Sequence, residues 1–240
     1  MTKKFFIENF KTLFYALIIA IFIRSIFIQP FYIPSSSMEP NLLVGDRLFV
    51  TKFSYGYSRH SFPFSPSIFN SRIFFKSPKR GDVIVFKTPA DNRTDYIKRL
   101  IGLPGDTVQF INGDVYLNDN QILKTRINKS STIYCGNTLL ETYTYEEKLP
   151  NGVKFKTVYS KKGSFQNSDK FKVPKNHYFF LGDNRDCSKD SRYLGSVSFV
   201  NLVGKAQIIF FSNDTVKGSL LKFWNLRNSF RFDRLFKKIK

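Results

Sequence analysis

The chain opens on a long apolar run. Leu13 to Ile23 carries no charged side chain, and after Arg24-Ser25 the run resumes with Ile26-Phe27-Ile28 and continues to Ile33. Its apolar residues cover the whole circumference of a helix, the pattern of a membrane span, since few buried core helices are this apolar all round. Residues 12–33 are therefore expected to form a transmembrane anchor, since about 20 apolar residues span the roughly 30 Å hydrocarbon core. Arg24 lies near one end, where a long side chain can snorkel to the interface. Lys3, Lys4 and Lys11 flank the run on its N-terminal side. They predict a cytoplasmic segment over 1–11 and place everything after the span outside. Gln29-Pro30-Phe31-Tyr32 offers no small-x-small site, so an anchor fits better than a cleavable leader.

Beyond Pro30 and Pro34, which block helical continuation, the period changes from 3.6 to 2. Arg47–Thr51 and Asp82–Phe86 are β-rich runs, each entered by a Gly-Asp pair. Thr107–Ile111 and Asp114–Leu117 flank Asn112-Gly113, a strong hairpin signal. His177–Leu181 and Ala206–Phe211 read as later strands. No helical period of useful length follows Pro34, so residues 34–216 are expected to form a mainly β outer domain. Within it, Tyr55–Pro78 reads as a Ser-, Pro- and Phe-rich loop able to touch lipid, and about 124–172 as an inserted lobe. Residues 217–240 form a basic tail interleaved with aromatics. It suits either an anionic bilayer surface or packing against the domain.

Charge sharpens the choice of partner. Lys and Arg number 38 against 18 Asp and Glu, a formal net of +20, which suits nucleic acid or an anionic membrane surface. The apolar anchor decides for the membrane, and no nucleic-acid partner is expected. With only His60 and His177, a zinc site or a His-dependent triad has little material; no metal or cofactor is expected. Cys135 and Cys187 could pair in an oxidising compartment or remain two free thiols; sequence leaves both open.

Four segments carry polar groups in unusual density. They are Ile33-Pro34-Ser35-Ser36-Ser37-Met38-Glu39-Pro40, Arg80 to Phe86, Tyr96 to Asp106, and Gly182-Asp183-Asn184-Arg185-Asp186-Cys187-Ser188-Lys189-Asp190-Ser191-Arg192. A serine needs a base before it can attack a carbonyl. Lys98, beside Ile97 and near Leu100 on a strand, could serve if burial lowered its pKa. Read without context, the same strings are also ordinary loops, a solvated Lys-Arg pair and a turn.

Taken together and in this order, the four segments resemble the sequence boxes of the bacterial type I signal peptidase (leader peptidase) family. The resemblance weakens over 55–78 and 124–172. It implies a signal-peptidase-like β-rich catalytic domain behind a single membrane helix, in the bacterial plasma membrane with the domain on the extracytoplasmic side. It also implies a serine endopeptidase that removes signal peptides from exported preproteins after small residues at −1 and −3. Ser37 matches the family's nucleophile and Lys98 its general base; lysine rather than histidine sides with the bacterial form. Ser35 matches an oxyanion-hole serine, and Ser188 a serine that hydrogen-bonds the lysine amine. Asp190, Arg192, Gly182 and Asp183 match supporting positions. Ile33, Pro34, Met38, Leu42 and Tyr96 match the lining of the shallow substrate pockets. Two positions depart from the pattern. Ser36 replaces a common glycine, which makes it a rival to Ser37, and Cys187 replaces a usual asparagine, where a small buried thiol is expected.

Overall fold

The structure is a computed structural model that describes residues 3–67, 70–127, 130–163, 165–214 and 229–239. In chain order the elements are α1 (Lys3–Ile26), β1 (Ile28–Tyr32), β2 (Asp46–Thr51), β3 (Val83–Lys87), β4 (Asp95–Gly102), β5 (Thr107–Ile111), β6 (Asp114–Leu117), β7 (Asn120–Gln121), β8 (Leu123–Arg126), β9 (Ser131–Cys135), β10 (Thr138–Lys148), β11 (Lys154–Ser160), β12 (Phe171–Lys172), β13 (His177–Leu181), the one-turn helix α2 (Ser191–Leu194), β14 (Val197–Ser198), β15 (Leu202–Ser212) and β16 (Lys237–Lys238). The outer domain is mainly β, as the period-2 pattern predicts.

Helix α1 is long and apolar enough to cross a membrane over Phe5–Ile26; its side chains there are exposed as far as Arg24, and Ser25 is buried against the domain. It ends earlier than the hydropathy pattern suggests. Residues 28–32, expected inside the span, instead form edge strand β1, in register with β2 from Ile28↔Thr51 to Tyr32↔Arg47. An edge strand tolerates Pro30 because the missing N–H faces away from the ladder, and the residue before a proline already favours extended backbone.

The largest sheet has the order β1-β2-β15-β3-β4-β13-β14, with β16 adding to β15. Strand β2 alternates Asp46, Leu48 and Val50 inward with Arg47, Phe49 and Thr51 half-exposed. Central β3 is buried on both faces: Val83 and Val85 pack with Ile33, Met38, Leu42, Leu48 and Val50, while Ile84 and Phe86 pack with Tyr55, Leu100, Tyr178 and Phe180. The predicted hairpin forms as β5–β6, with Asn112 and Gly113 both at positive φ (52° and 80°). Left-handed backbone at both central residues is what a two-residue turn of this hand requires.

The expected lobe is a separate sheet, β11-β10-β8 with β9 added to β10. It covers 123–160, narrower than 124–172, because β12 already returns to pair with β5. The lobe touches the 182–192 loop directly: Val158 N donates to Asp183 O at 2.9 Å, and Ser160 N to Asp186 Oδ2 at 2.6 Å. The described residues of 55–78 form a loop that includes a short turn, Arg59–Ser61, and an isolated bridge between Tyr57 and Ile73.

Half of the basic tail, 217–228, lies outside the described residues. The last stretch packs on the domain: Arg234, 5 % exposed, forms a two-pronged ion pair with buried Asp46, Nε–Oδ1 2.9 Å and Nη2–Oδ2 2.6 Å. Strand β16 pairs with β15, and Ile239 packs against the Leu48–Val50 cluster.

Candidate active site

Strand β4 and a single turn of 3₁₀ helix bring the key side chains together. Lys98 stands opposite Ile84 of buried β3, so its stem has no route to solvent, and the residue is 2 % exposed. Ser36–Met38 form the turn, entered through extended Ser35. Met38 is driven fully into the core, and this plants Ser37 over the sheet. Lys98 Nζ lies 2.7 Å from Ser37 Oγ and donates a second bond to Ile97 O at 2.9 Å.

Burial lowers the Lys98 pKa to about 8; the carboxylates of Asp190 and Asp183 act against this, and Arg192 adds to it. An amine with such a pKa has a substantial neutral fraction near neutral pH, and neutral amine can take a proton from a hydroxyl. The repulsive neighbour is Arg192 and not Arg99, the next residue in sequence. Alternation along β4 points Arg99 to the opposite face, where its guanidinium grips Asp183 with two bonds of 2.7 Å.

The expected supporting residues assemble around this pair with one exception. Asp190 caps α2, accepts Gly182 N at 2.9 Å, and holds Arg192 by Nε–Oδ1 and Nη2–Oδ2 bonds of 2.8 Å. Gly182 is required by close approach: a Cβ there would sit 2.4 Å from Ser188 Cβ and 2.5 Å from Ser37 O. Ser35 Oγ lies 3.3 Å from Ser37 Oγ on the exposed side. Ser188 is the exception. Its Oγ is buried and has no hydrogen-bond partner among the described residues, so the expected bond to the lysine amine is not formed; Ile97 O holds the amine instead.

Ser36, the rival nucleophile, faces away. Its Oγ lies 3.4 Å from Cys187 Sγ, and its carbonyl is held by Asn184 Nδ2 at 3.2 Å. Cys187 is no free thiol: it forms a disulfide with Cys135, across 52 positions of sequence. The half-buried bridge ties the end of β9 to the 182–192 loop. A cavity of about 750 Å³ opens beside it, between Pro34–Ser36 on one wall and Thr132–Tyr134 on the other. Of the predicted pocket residues, Pro34 lines this cavity. Tyr96 is half-buried, its ring 5.4 Å from Lys98 Nζ. Ile33, Met38 and Leu42 are instead at most 2 % exposed and belong to the core beneath.

Sequence reasoning assigned no role to several residues that build the site. Asn184 N donates to Ser37 O at 3.1 Å, and Asn41 Nδ2 reaches Asp183 Oδ2 at 2.7 Å. Buried Arg185 donates to Gly182 O, Tyr159 Oη and Glu147 Oε2. The Asn-Arg of the fourth segment was a visible signal; Glu147 and Tyr159, from the lobe, carried none.

The family profile described as signal peptidase, peptidase S26, matches residues 6–211. The chain belongs to the signal peptidase family, peptidase S26. Family members with similar sequences include a signal peptidase I of Rickettsia bellii (strain OSU 85-389), 41% identical over 97% of this chain and 85% of that protein. A signal peptidase I of Rickettsia typhi is 40% identical over 99% of this chain and 96% of the relative. A crystal structure of a signal peptidase I from Enterococcus faecalis V583 shares 28% identity over 54% of this chain and 97% of that chain, with a TM-score of 0.35. Membership makes this chain a serine hydrolase of the signal-peptide-cleaving class, and its apolar α1 fits a membrane-anchored signal peptidase.

Proposed function

We propose that this signal peptidase works through a Ser37–Lys98 dyad and cleaves preproteins after small residues at −1 and −3. The observation that carries the reading is the 2.7 Å contact between a fully buried amine and a serine hydroxyl, with no histidine beside them. Neutral Lys98 takes the Ser37 proton as Oγ attacks the scissile carbonyl. The oxyanion that develops is received by the Ser35 hydroxyl and the Ser37 backbone N–H. Protonated Lys98 then passes its proton to the departing amine, the peptide C–N bond breaks, and water hydrolyses the acyl-enzyme ester. Asp190, Arg192, Gly182 and Asp183 hold the loop that faces the nucleophile, and Ser188 packs against Gly182 within it.

The substrate enters extended, between Pro34–Ser36 and the edge of β9, where main-chain pairing supplies affinity and side-chain pockets supply selectivity. Ile33, Met38 and Leu42 fill the core under that cleft, and Tyr96 stands beside the amine, which leaves space for small side chains only. The Cys135–Cys187 bridge fits an oxidising compartment. It accords with a single-pass protein of the bacterial plasma membrane, N-terminus cytoplasmic and catalytic domain extracytoplasmic. Anionic lipid is the membrane partner, and nucleic acid is not one.

The test is cleavage of a preprotein by the purified full chain, with the cut mapped by mass spectrometry. Alanine at −1 and −3 should give a single cut, and phenylalanine at −1 should abolish it. Equal cleavage of both substrates would refute the specificity.

A further inference from the structure

A second cavity, of about 610 Å³, lies outside the catalytic centre and is lined by side chains from α1, β1, Lys52 just after β2, the 59–65 loop, the 87–95 turn and Val203 of β15. Its cations are Arg24, Lys52, Arg59 and Arg93, with Lys87 at its edge. Its two carboxylates are already engaged. Asp95 pairs with Lys87 at 2.9 Å, and Asp91 accepts the backbone N–H groups of Arg93 and Thr94 at 2.8 and 3.0 Å. With His60 held neutral by burial and its basic neighbours, its pKa lowered to about 4, the lining keeps a net of three positive charges.

At one wall sits Lys52, 2 % exposed, whose ammonium has Ser61 O as its hydrogen-bond partner among the described residues. An ammonium carries three donors, so two remain for a ligand. A buried cation with no carboxylate in hydrogen-bond contact is costly; burial together with Arg24 lowers the Lys52 pKa to about 8, with Asp95 acting against them. Nothing in the dyad chemistry uses this lysine.

Position says what the missing anion is. Arg24 lies in the last turn of α1, two residues before the helix ends at Ile26, so the cavity opens where hydrocarbon gives way to headgroups. Phe62, Pro63 and Phe64 form its rim, and the Phe64 side chain is fully exposed. Phe27 and Phe53 are also exposed, next to one another through the Lys52 N to Phe27 O bond of 3.0 Å. Aromatic side chains beside cations at the end of an apolar helix are the composition of a membrane interface.

We propose that this cavity binds the phosphate of an anionic phospholipid headgroup, with Lys52 as the buried donor and Arg24, Arg59 and Arg93 closing around it. The assignment rests on the membrane-anchored reading of α1 but not on the dyad. The occupied site would fix the height and tilt of the catalytic domain over the bilayer.

The test uses the full chain carrying Ser37→Ala, so that peptide cleavage plays no part and a wrong dyad assignment leaves the result intact. The protein is reconstituted in nanodiscs of phosphatidylcholine with added phosphatidylglycerol, and retained lipid is counted by native mass spectrometry. One phosphatidylglycerol should stay bound. Arg59→Gln and Arg93→Gln should each weaken retention by about fivefold, the worth of one cation at an anionic surface, and Lys52→Met by more. The two arginine substitutions lie outside the core and keep the test valid should Lys52→Met fail to fold. Lys175→Gln, exposed and outside the cavity, should change nothing. Equal retention by the arginine variants and their parent would overturn the site, as would an equal loss in Lys175→Gln. Displacement of the lipid by inorganic phosphate at constant ionic strength would reassign the cavity to a free anion and overturn the lipid.

Discussion

Two buried lysines serve this enzyme differently. Lys98 and Lys52 are each 2 % exposed, and burial lowers both to a pKa of about 8. Around Lys98 the strongest charged influences are the carboxylates of Asp190 and Asp183, and its amine touches a serine hydroxyl. Around Lys52 the strongest neighbour is another cation, Arg24, and its amine touches a carbonyl that cannot react. A lowered lysine pKa therefore does not by itself mark a general base. The proposed base is singled out by the hydroxyl 2.7 Å away, and the proposed anion site by the crowding of further cations.

The largest effect that could break this contrast is on turnover. Ser37→Ala and Lys98→Ala should each reduce kcat/KM by about 10⁴-fold or more, and the double variant little further, because nucleophile and base act as a unit. Ser36→Ala should cost less than about tenfold, since a larger loss would move the nucleophile by one position. Both comparisons need preprotein cleavage at matched protein concentration.

The disulfide braces only the Lys98 side. Breaking it by Cys135→Ser should lower unfolding stability by about 2–4 kcal/mol, read from denaturant melts of the full chain in detergent. Phosphatidylglycerol retention at the Lys52 cavity should not change, and a loss there would mean that the two regions are coupled.

The pH profile separates the lysines at a smaller scale. Only neutral Lys98 accepts a proton, so kcat/KM should fall about tenfold per unit as pH drops below about 8. Lys52→Met should keep that acidic limb at the same pH; loss of the limb in this variant would assign it to the wrong lysine. A profile flat from acid to pH 9 would exclude an amine base altogether.

The smallest shifts come from neighbouring charges. Asp190 raises the Lys98 pKa, so Asp190→Asn should move the acidic limb to lower pH by less than about one unit. Arg24 lowers the Lys52 pKa, so Arg24→Gln should raise it, a change visible by NMR of labelled lysine side chains. Opposite signs at the two sites are the expected result.

The sequence alone determined the elements whose cause is local. The apolar run forced a helix, period-2 alternation forced β2, and Asn112-Gly113 forced the hairpin. The order of the four polar segments pointed to Ser37 and Lys98 only through their resemblance to the signal peptidase boxes; by themselves the same strings read equally as loops, a solvated pair and a turn. Tertiary structure decided what depends on a distant partner. The helix stops at Ile26 because β1 finds β2, a pairing hydropathy cannot register. Ile33, Met38 and Leu42 became core because β3 packs over them. Cys135 meets Cys187 only when the lobe folds back on the 182–192 loop, and Ser188 turns toward Gly182 because the missing Cβ leaves room there. Lys52 carries no signal of its own in the sequence. The 59–65 loop buries it and Arg24 crowds it, and charge and burial from elements far apart in sequence are quantities that only the folded chain contains.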